Sequence, residues 1–152
     1  METEKKALIE IISVFEIKAN ELINLLATNF DLDLNSNSPF DKLLNIKNNL
    51  KKGKLNDDWM YWFHGSHCDF ENIKTKQYLH VSIISEKNYG AIDYFYLYKF
   101  FVTTQLFDNY KNIITSENVF FELLDTLKTE GNLVENGDSP FSIWILNQNL
   151  KI

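Results

Sequence analysis

Arginine is absent from this 152-residue chain, and cysteine occurs once, proline twice and glycine five times. Each shortage excludes something. Without arginine there is no planar fork for bidentate recognition of phosphate or carboxylate, and every fixed positive side chain is a lysine. A single cysteine forms no intramolecular disulfide, so nothing in the chain calls for an oxidising compartment. Five scattered glycines supply neither a phosphate-cradling loop nor a dinucleotide fingerprint. No window reaches the roughly 18 uninterrupted apolar residues of a membrane span. The opening Met1-Glu2-Thr3-Glu4 is acidic where a secretory leader is basic, so a cytoplasmic location is expected. Positive charge is also in deficit: 15 lysines face 21 acids, for a net charge of −6 and an isoelectric point near 5.0. A general nucleic-acid binder needs the opposite balance to displace counterions. The missing arginine, with asparagine at 18 residues, fits an AT-rich genome better than any function.

What is present describes an ordinary globular chain. Hydrophobic residues make up 45% and charged ones 24%, and the length suits one domain over 1–152. Leu8, Ile12, Phe15, Ala19, Leu22 and Leu26 recur at spacings of three and four, which predicts a helix over 3–28. Ile9, Ile11, Ile23 and Leu25 widen the stripe, as in a helix packed on two sides of a core or partly against a second copy. After a polar loop at 30–38, Ser38-Pro39-Phe40-Asp41 resembles a helix start, and Gly53 can end that helix. Its lysines, Lys47, Lys51, Lys52 and Lys54, form the only basic cluster and read as a solvated helix end. From Trp59 the pattern turns strand-like. Trp59 to Phe63, Cys68 to Ile73 and Tyr78 to Ser85 predict an antiparallel meander, since their connections are too short for parallel crossovers. Cys68 and Phe70 fall on one face, Asp69 and Glu71 on the other. Residues 92–107 carry β-favouring rings without alternation and are read as helix. Ser116 caps a further helix that ends near Gly131, and Phe141 to Leu146 reads as a short strand. The order ααβββααβ is an α+β domain, helices covering a small antiparallel sheet.

The densest chemistry lies in Phe63-His64-Gly65-Ser66-His67-Cys68-Asp69-Phe70. Two imidazoles, a thiol and a carboxylate stand close together, with His80 the only other His or Cys. As a structural zinc site the set is incomplete, because four ligands are needed, commonly as two spaced pairs. As a nucleophilic set, Cys68 would need a base, yet His67 beside it points to the opposite face of a strand, and His64 or His80 could reach only across strands. A buried structural cysteine is the simpler reading. Gly65 suggests a tight turn. Asp31-x-Asp33-x-Asn35-x-Asn37 has alternating oxygen ligands but lacks the glycine and closing glutamate of a calcium loop. No catalytic set, metal or cofactor is therefore assigned. The alternative kept open is a small enzyme or metal protein centred on His64, His67, Cys68 and His80.

Fifteen of the 22 aromatic residues lie between Trp59 and Tyr110. Most belong in a core, and an exposed remainder would suit a protein interface. Residues 1–56 are neutral, with 8 lysines against 8 acids, whereas 57–90 carry 3 against 5 and 91–152 carry 4 against 8. This one-sidedness favours a basic protein partner over a nucleic acid or a membrane.

Around this motif the chain resembles a family of uncharacterised small bacterial domains. Its pattern is an aromatic strand leading into His-Gly-x-x-Cys-x-Phe, a polar turn, a further strand and an Ile-Asp-x-Phe-x-Leu helix. The matching residues are Trp59, Tyr61, Phe63, His64, Gly65, Cys68 and Phe70, then Ile92, Asp93, Phe95 and Leu97, covering roughly 55–105. His67 departs from the pattern, where a second glycine is usual. The resemblance carries no assigned activity. It implies kinship with single-domain proteins encoded beside polymorphic toxins, and hence an immunity role: non-enzymatic, stoichiometric neutralisation of a cognate and basic toxin. Asp57, Asp58, Trp62, His64, His67, Asp69 and Glu71 are the candidate partner contacts. The protein itself is expected to be a monomer or weak homodimer.

Overall fold

In a computed structural model, which describes residues 2–29, 52–64, 67–82, 94–135 and 144–146, the N-terminal stripe becomes helix α1 (Glu2–Asn29). Leu8, Ile12, Phe15, Ala19, Leu22 and Leu26 are all buried, and so are Ile9, Ile11 and Ile23. The extra width has an intramolecular cause. α1 packs against two later helices and two later strands, and its side chains join one continuous core cluster with residues of the sheet and the later helices. Burying each such aliphatic side chain is worth about 1.5–3 kcal/mol. The stripe that could have served a second copy is covered by the chain's own elements.

One residue on α1 opposes this burial. Glu16 is half-buried, its Oε1 has no hydrogen-bond partner among the described residues, and desolvation raises its carboxyl from an ordinary 4.5 to about 7. Between those two values the folded chain holds a proton that the unfolded chain has lost. Stability from this group is therefore full below about pH 4.5 and declines as pH rises to about 7. Glu16→Gln is expected to raise stability at pH 8 by about 1 kcal/mol, less than the full shift implies because the carboxyl keeps some solvent contact. At pH 4 the two proteins should match. Urea unfolding at both pH values measures this, and an equal gain at each would refute it.

The meander has four strands, one more than expected. β1 (Lys52–Lys54), β2 (Trp59–His64), β3 (His67–Asn72) and β4 (Tyr78–Ser82) form an antiparallel meander in that order. Gly53 is thus not a helix terminator but the middle of a strand, opposite Tyr61. A Cβ at Gly53 would come within 2.9 Å of the Tyr61 hydroxyl oxygen, which is why a side chain does not fit there. Asparagine side chains shape both turns. Asn56 Oδ1 accepts from the amides of Asp58 and Trp59, and Asn72 Oδ1 from those of Lys74 and Thr75.

The aromatic stretch after β4 is helical, as expected, but broken. α2 (Tyr94–Val102) and α3 (Gln105–Tyr110) meet at Thr103-Thr104, whose hydroxyls donate back to the carbonyls of Phe100 and Phe101. α4 (Glu117–Thr129) begins at Ser116, which accepts from the Val119 amide. It ends where Gly131 takes φ +75° and the amides of Gly131 and Asn132 bond back to Lys128 and Leu127. β5 (Leu133–Glu135), which was not expected, pairs antiparallel with β6 (Trp144–Leu146) as a separate two-stranded sheet, so among the described residues the C-terminal strand does not join the meander as expected. The fold is α+β. The helix expected from Ser38, the calcium-like run at 31–37, the Gly65 turn and residues 141–143 lie outside the described residues.

Candidate functional site: an aromatic sheet face over a buried Asp-His pair

Alternation sorts the meander into two faces. Residues opposite one another in an antiparallel pair share a face, so the register alone groups them. Trp59, Tyr61, Cys68, Phe70 and Leu79 lie on the core side and are buried. The second face carries two rows across the strands. One is Lys52, Trp62, Asp69 and His80; the other is Lys54, Met60, Glu71 and Tyr78.

At the centre of this second face a carboxylate is sealed from water. Asp69 is 1% exposed, and His80 Nδ1 donates to its Oδ1 at 2.5 Å. Tyr78, on the same face of β4, lies close enough to Asp69 to feel its charge. Burial, and then the negative charge of Asp69, push the Tyr78 phenol far above its ordinary range, so it remains a donor. α2 closes the assembly from the side of β4. Its Tyr96 ring stacks nearly parallel on His80, 4.4 Å between centroids, and on Tyr78, 4.7 Å apart. Trp62 meets Tyr78 edge-on at 5.5 Å. Lys99, one turn further along α2, holds its ammonium 4.8 Å from the Phe95 centroid and 5.5 Å from those of Tyr78 and Tyr96. A buried, hydrogen-bonded Asp69–His80 pair thus underlies four partly exposed rings.

The seven expected contact residues do not make one patch. Trp62, Asp69 and Glu71 share the second face, but Asp69 is sealed under the rings and offers nothing to a partner. That correction follows from the Asp69–His80 pairing, which no count of exposed-looking acids reveals. Asp57 and Asp58 lie in the β1–β2 turn, where Asp58 is paired with Lys74 at 2.7 Å. His64 and His67 face each other in register at the opposite end of the β2–β3 hairpin. Six strand residues separate the two ends by roughly 17 Å.

The alternative cluster loses its cysteine. Cys68 lies on the core face against Phe63 and Val81 in register, whereas His80 belongs to the other face. Burial, followed by the charge of Asp69, drives the Cys68 thiol well above its ordinary range, so it is not a ready thiolate. Among the described residues no three His, Cys, Asp or Glu side chains gather as a metal site. Nor is any described helix long and apolar enough to cross a membrane.

Tyr78, Tyr96 and Lys99 were not singled out from the sequence. A signal was available: with Lys74 to Gln77 as the turn, Asp69 falls opposite His80, two polar side chains facing each other on a small sheet. What no periodicity shows is the docking of α2 over them.

No curated protein and no solved structure matches the chain. A family model described as Domain of unknown function (DUF6896) matches residues 8–145, from the second turn of α1 into β6, and so takes in both the sheet and its aromatic face. The chain belongs to that family of uncharacterised domains.

Proposed function

We propose that this protein is a non-enzymatic binding module of the immunity type, neutralising a cognate protein toxin by stoichiometric contact. The observation that carries the reading is the aromatic second face of the sheet. Trp62, Tyr78 and Tyr96 are half-buried rings locked by the Asp69–His80 pair, and Phe95 beside them is 45% exposed. Rings held in this way bury large area on binding at little entropic cost, the property of interface hot spots. Two of the groups with the chemistry for catalysis are committed to the fold, Cys68 to the core and His80 to Asp69. The partner class comes from the resemblance of the His64–Phe70 motif to proteins encoded beside polymorphic toxins.

The test is genetic and then biochemical. Open reading frames flanking the gene are expressed with and without it in a host that lacks both. The expected result is a neighbour that stops growth alone, is tolerated with this protein, and co-purifies with it one to one. Trp62→Ala should weaken that complex by about 2 kcal/mol, a typical hot-spot loss, without lowering the unfolding midpoint. If no neighbour is toxic, or rescue occurs without a complex, the reading is wrong.

A further inference from the structure

The charge of the aromatic face is opposite to the charge of the chain. Lys52 and Lys54 are exposed and, by register, flank Trp62 and Met60 on the second face. Gly53 between them lies over Tyr61 on the core side, as alternation requires. Across the sheet, exposed Lys99 stands over the rings of Tyr78, Phe95 and Tyr96. Among the described residues the acids on this face are Glu71, half-buried in the middle, and Asp69, sealed beneath His80. A protein of net charge −6 therefore presents an aromatic patch bordered by lysines on both sides.

From this geometry we infer that the face docks an acidic, aromatic or aliphatic segment of a protein partner, its carboxylates meeting Lys52 and Lys54 on one side and Lys99 on the other. The inference rests on the binding-module reading and departs from the expectation of a basic partner, which came from the distribution of charge along the chain. The spacing sets the pattern. β1 and β4 are three strand intervals apart, roughly 14 Å, the reach of about four extended residues. A fitting segment has an apolar centre with Asp or Glu at both ends. Lysines around aromatics also suit single-stranded nucleic acid, but base stacking requires open ring faces. Here Tyr96 covers Tyr78 and His80 with its own ring, and Lys99 lies over the same group. The net negative charge further opposes a polyanion, whereas a short acidic segment feels mainly the local lysines.

The probe is a synthetic peptide with a Phe-Leu-Tyr centre between paired acids, titrated into the isotope-labelled full chain and followed by amide chemical shifts. Controls are the same peptide with lysines in place of the acids, and a short oligo-thymidine. Saturable shifts confined to β1, β2, β4 and α2, weakened about tenfold by added salt or by Lys52→Glu with Lys54→Glu, are expected for the acidic peptide alone. Both lysines are exposed, and an unchanged unfolding midpoint verifies that the variant folds. Tighter binding of the lysine peptide or of oligo-thymidine at this face, shifts elsewhere, or no saturation by about 1 mM overturns the inference. So do concentration-dependent shifts of the same residues without peptide, which identify a second copy as the occupant. The two proposals fail separately. A neighbouring toxin neutralised equally well by the Lys52→Glu, Lys54→Glu, Lys99→Glu variant removes the acidic docking face and leaves the immunity reading standing. Peptide binding without any toxic neighbour does the reverse.

Discussion

Asp69→Ala is expected to destabilise the protein by about 3–5 kcal/mol, the cost of removing one partner from a buried carboxyl–imidazole pair. The loss has two parts. The His80 ring, 9% exposed, keeps its Nδ1 but loses the acceptor 2.5 Å away, and the missing carboxyl leaves a void at a position only 1% exposed. A stranded donor alone carries a desolvation penalty of about 1–3 kcal/mol. His80→Ala should cost a similar amount, because it strands the carboxylate and removes one ring beneath Tyr96. The double variant should then cost about 1–3 kcal/mol less than the sum, since each single change already breaks the shared interaction. Urea unfolding of the wild type, the two single variants and the double variant measures the cycle. Additivity within about 0.5 kcal/mol would mean that the pair is not coupled as its geometry requires. The consequence for function is local. With the pair gone, Tyr96 and Trp62 lose their fixed pose, and near-ultraviolet circular dichroism should report it at temperatures where the helices are intact.

Phe70→Ala is the other large effect, about 3–5 kcal/mol, and it acts on the opposite face. Phe70 is fully buried on β3, one strand away from Tyr61 and from Leu79, both also buried and both in register with it. The cavity left at this crossing is bordered by the sheet backbone and by the close-packed side chains of the core cluster, neither of which collapses easily. Against a total stability of about 5–15 kcal/mol for a domain of this size, such a loss leaves a substantial unfolded fraction at growth temperature. Phe70→Leu keeps much of the volume and should cost roughly 1–2 kcal/mol. Thermal unfolding distinguishes the two, and similar midpoints would show that the ring is not the keystone of this packing.

Much of the architecture was legible from periodicity alone. The α1 stripe, the β2–β4 meander, the Ser116 cap and the Gly131 terminus are local signals, with side-chain spacing or backbone conformation as their cause. Even the uncertain aromatic stretch resolved correctly into helix, since Leu97, Phe100 and Phe101 need one buried side and get it against α1 and α4. β1 was missed for a physical reason. Three residues, two of them lysines around a glycine, carry no β signal of their own, and only pairing with β2 and the close approach of Tyr61 makes them a strand.

That strand also changes the charge argument. Composition and periodicity were sufficient for the class of fold, the burial of Cys68 and the sidedness of Asp69 and Glu71, because these depend on neighbours in the chain. They were also sufficient for the arginine-free, acidic balance that argues against general nucleic-acid binding. Which charges stand together depended on contacts between distant segments. Pairing moved Lys52 and Lys54 from a supposed helix end to the border of Trp62, α2 brought Lys99 and Tyr96 to the other side, and the hairpin turned Asp69 inward onto His80. A net charge adds up along the chain, but a surface is assembled across strands. The tertiary structure therefore decided that an acidic protein carries its aromatic face between lysines.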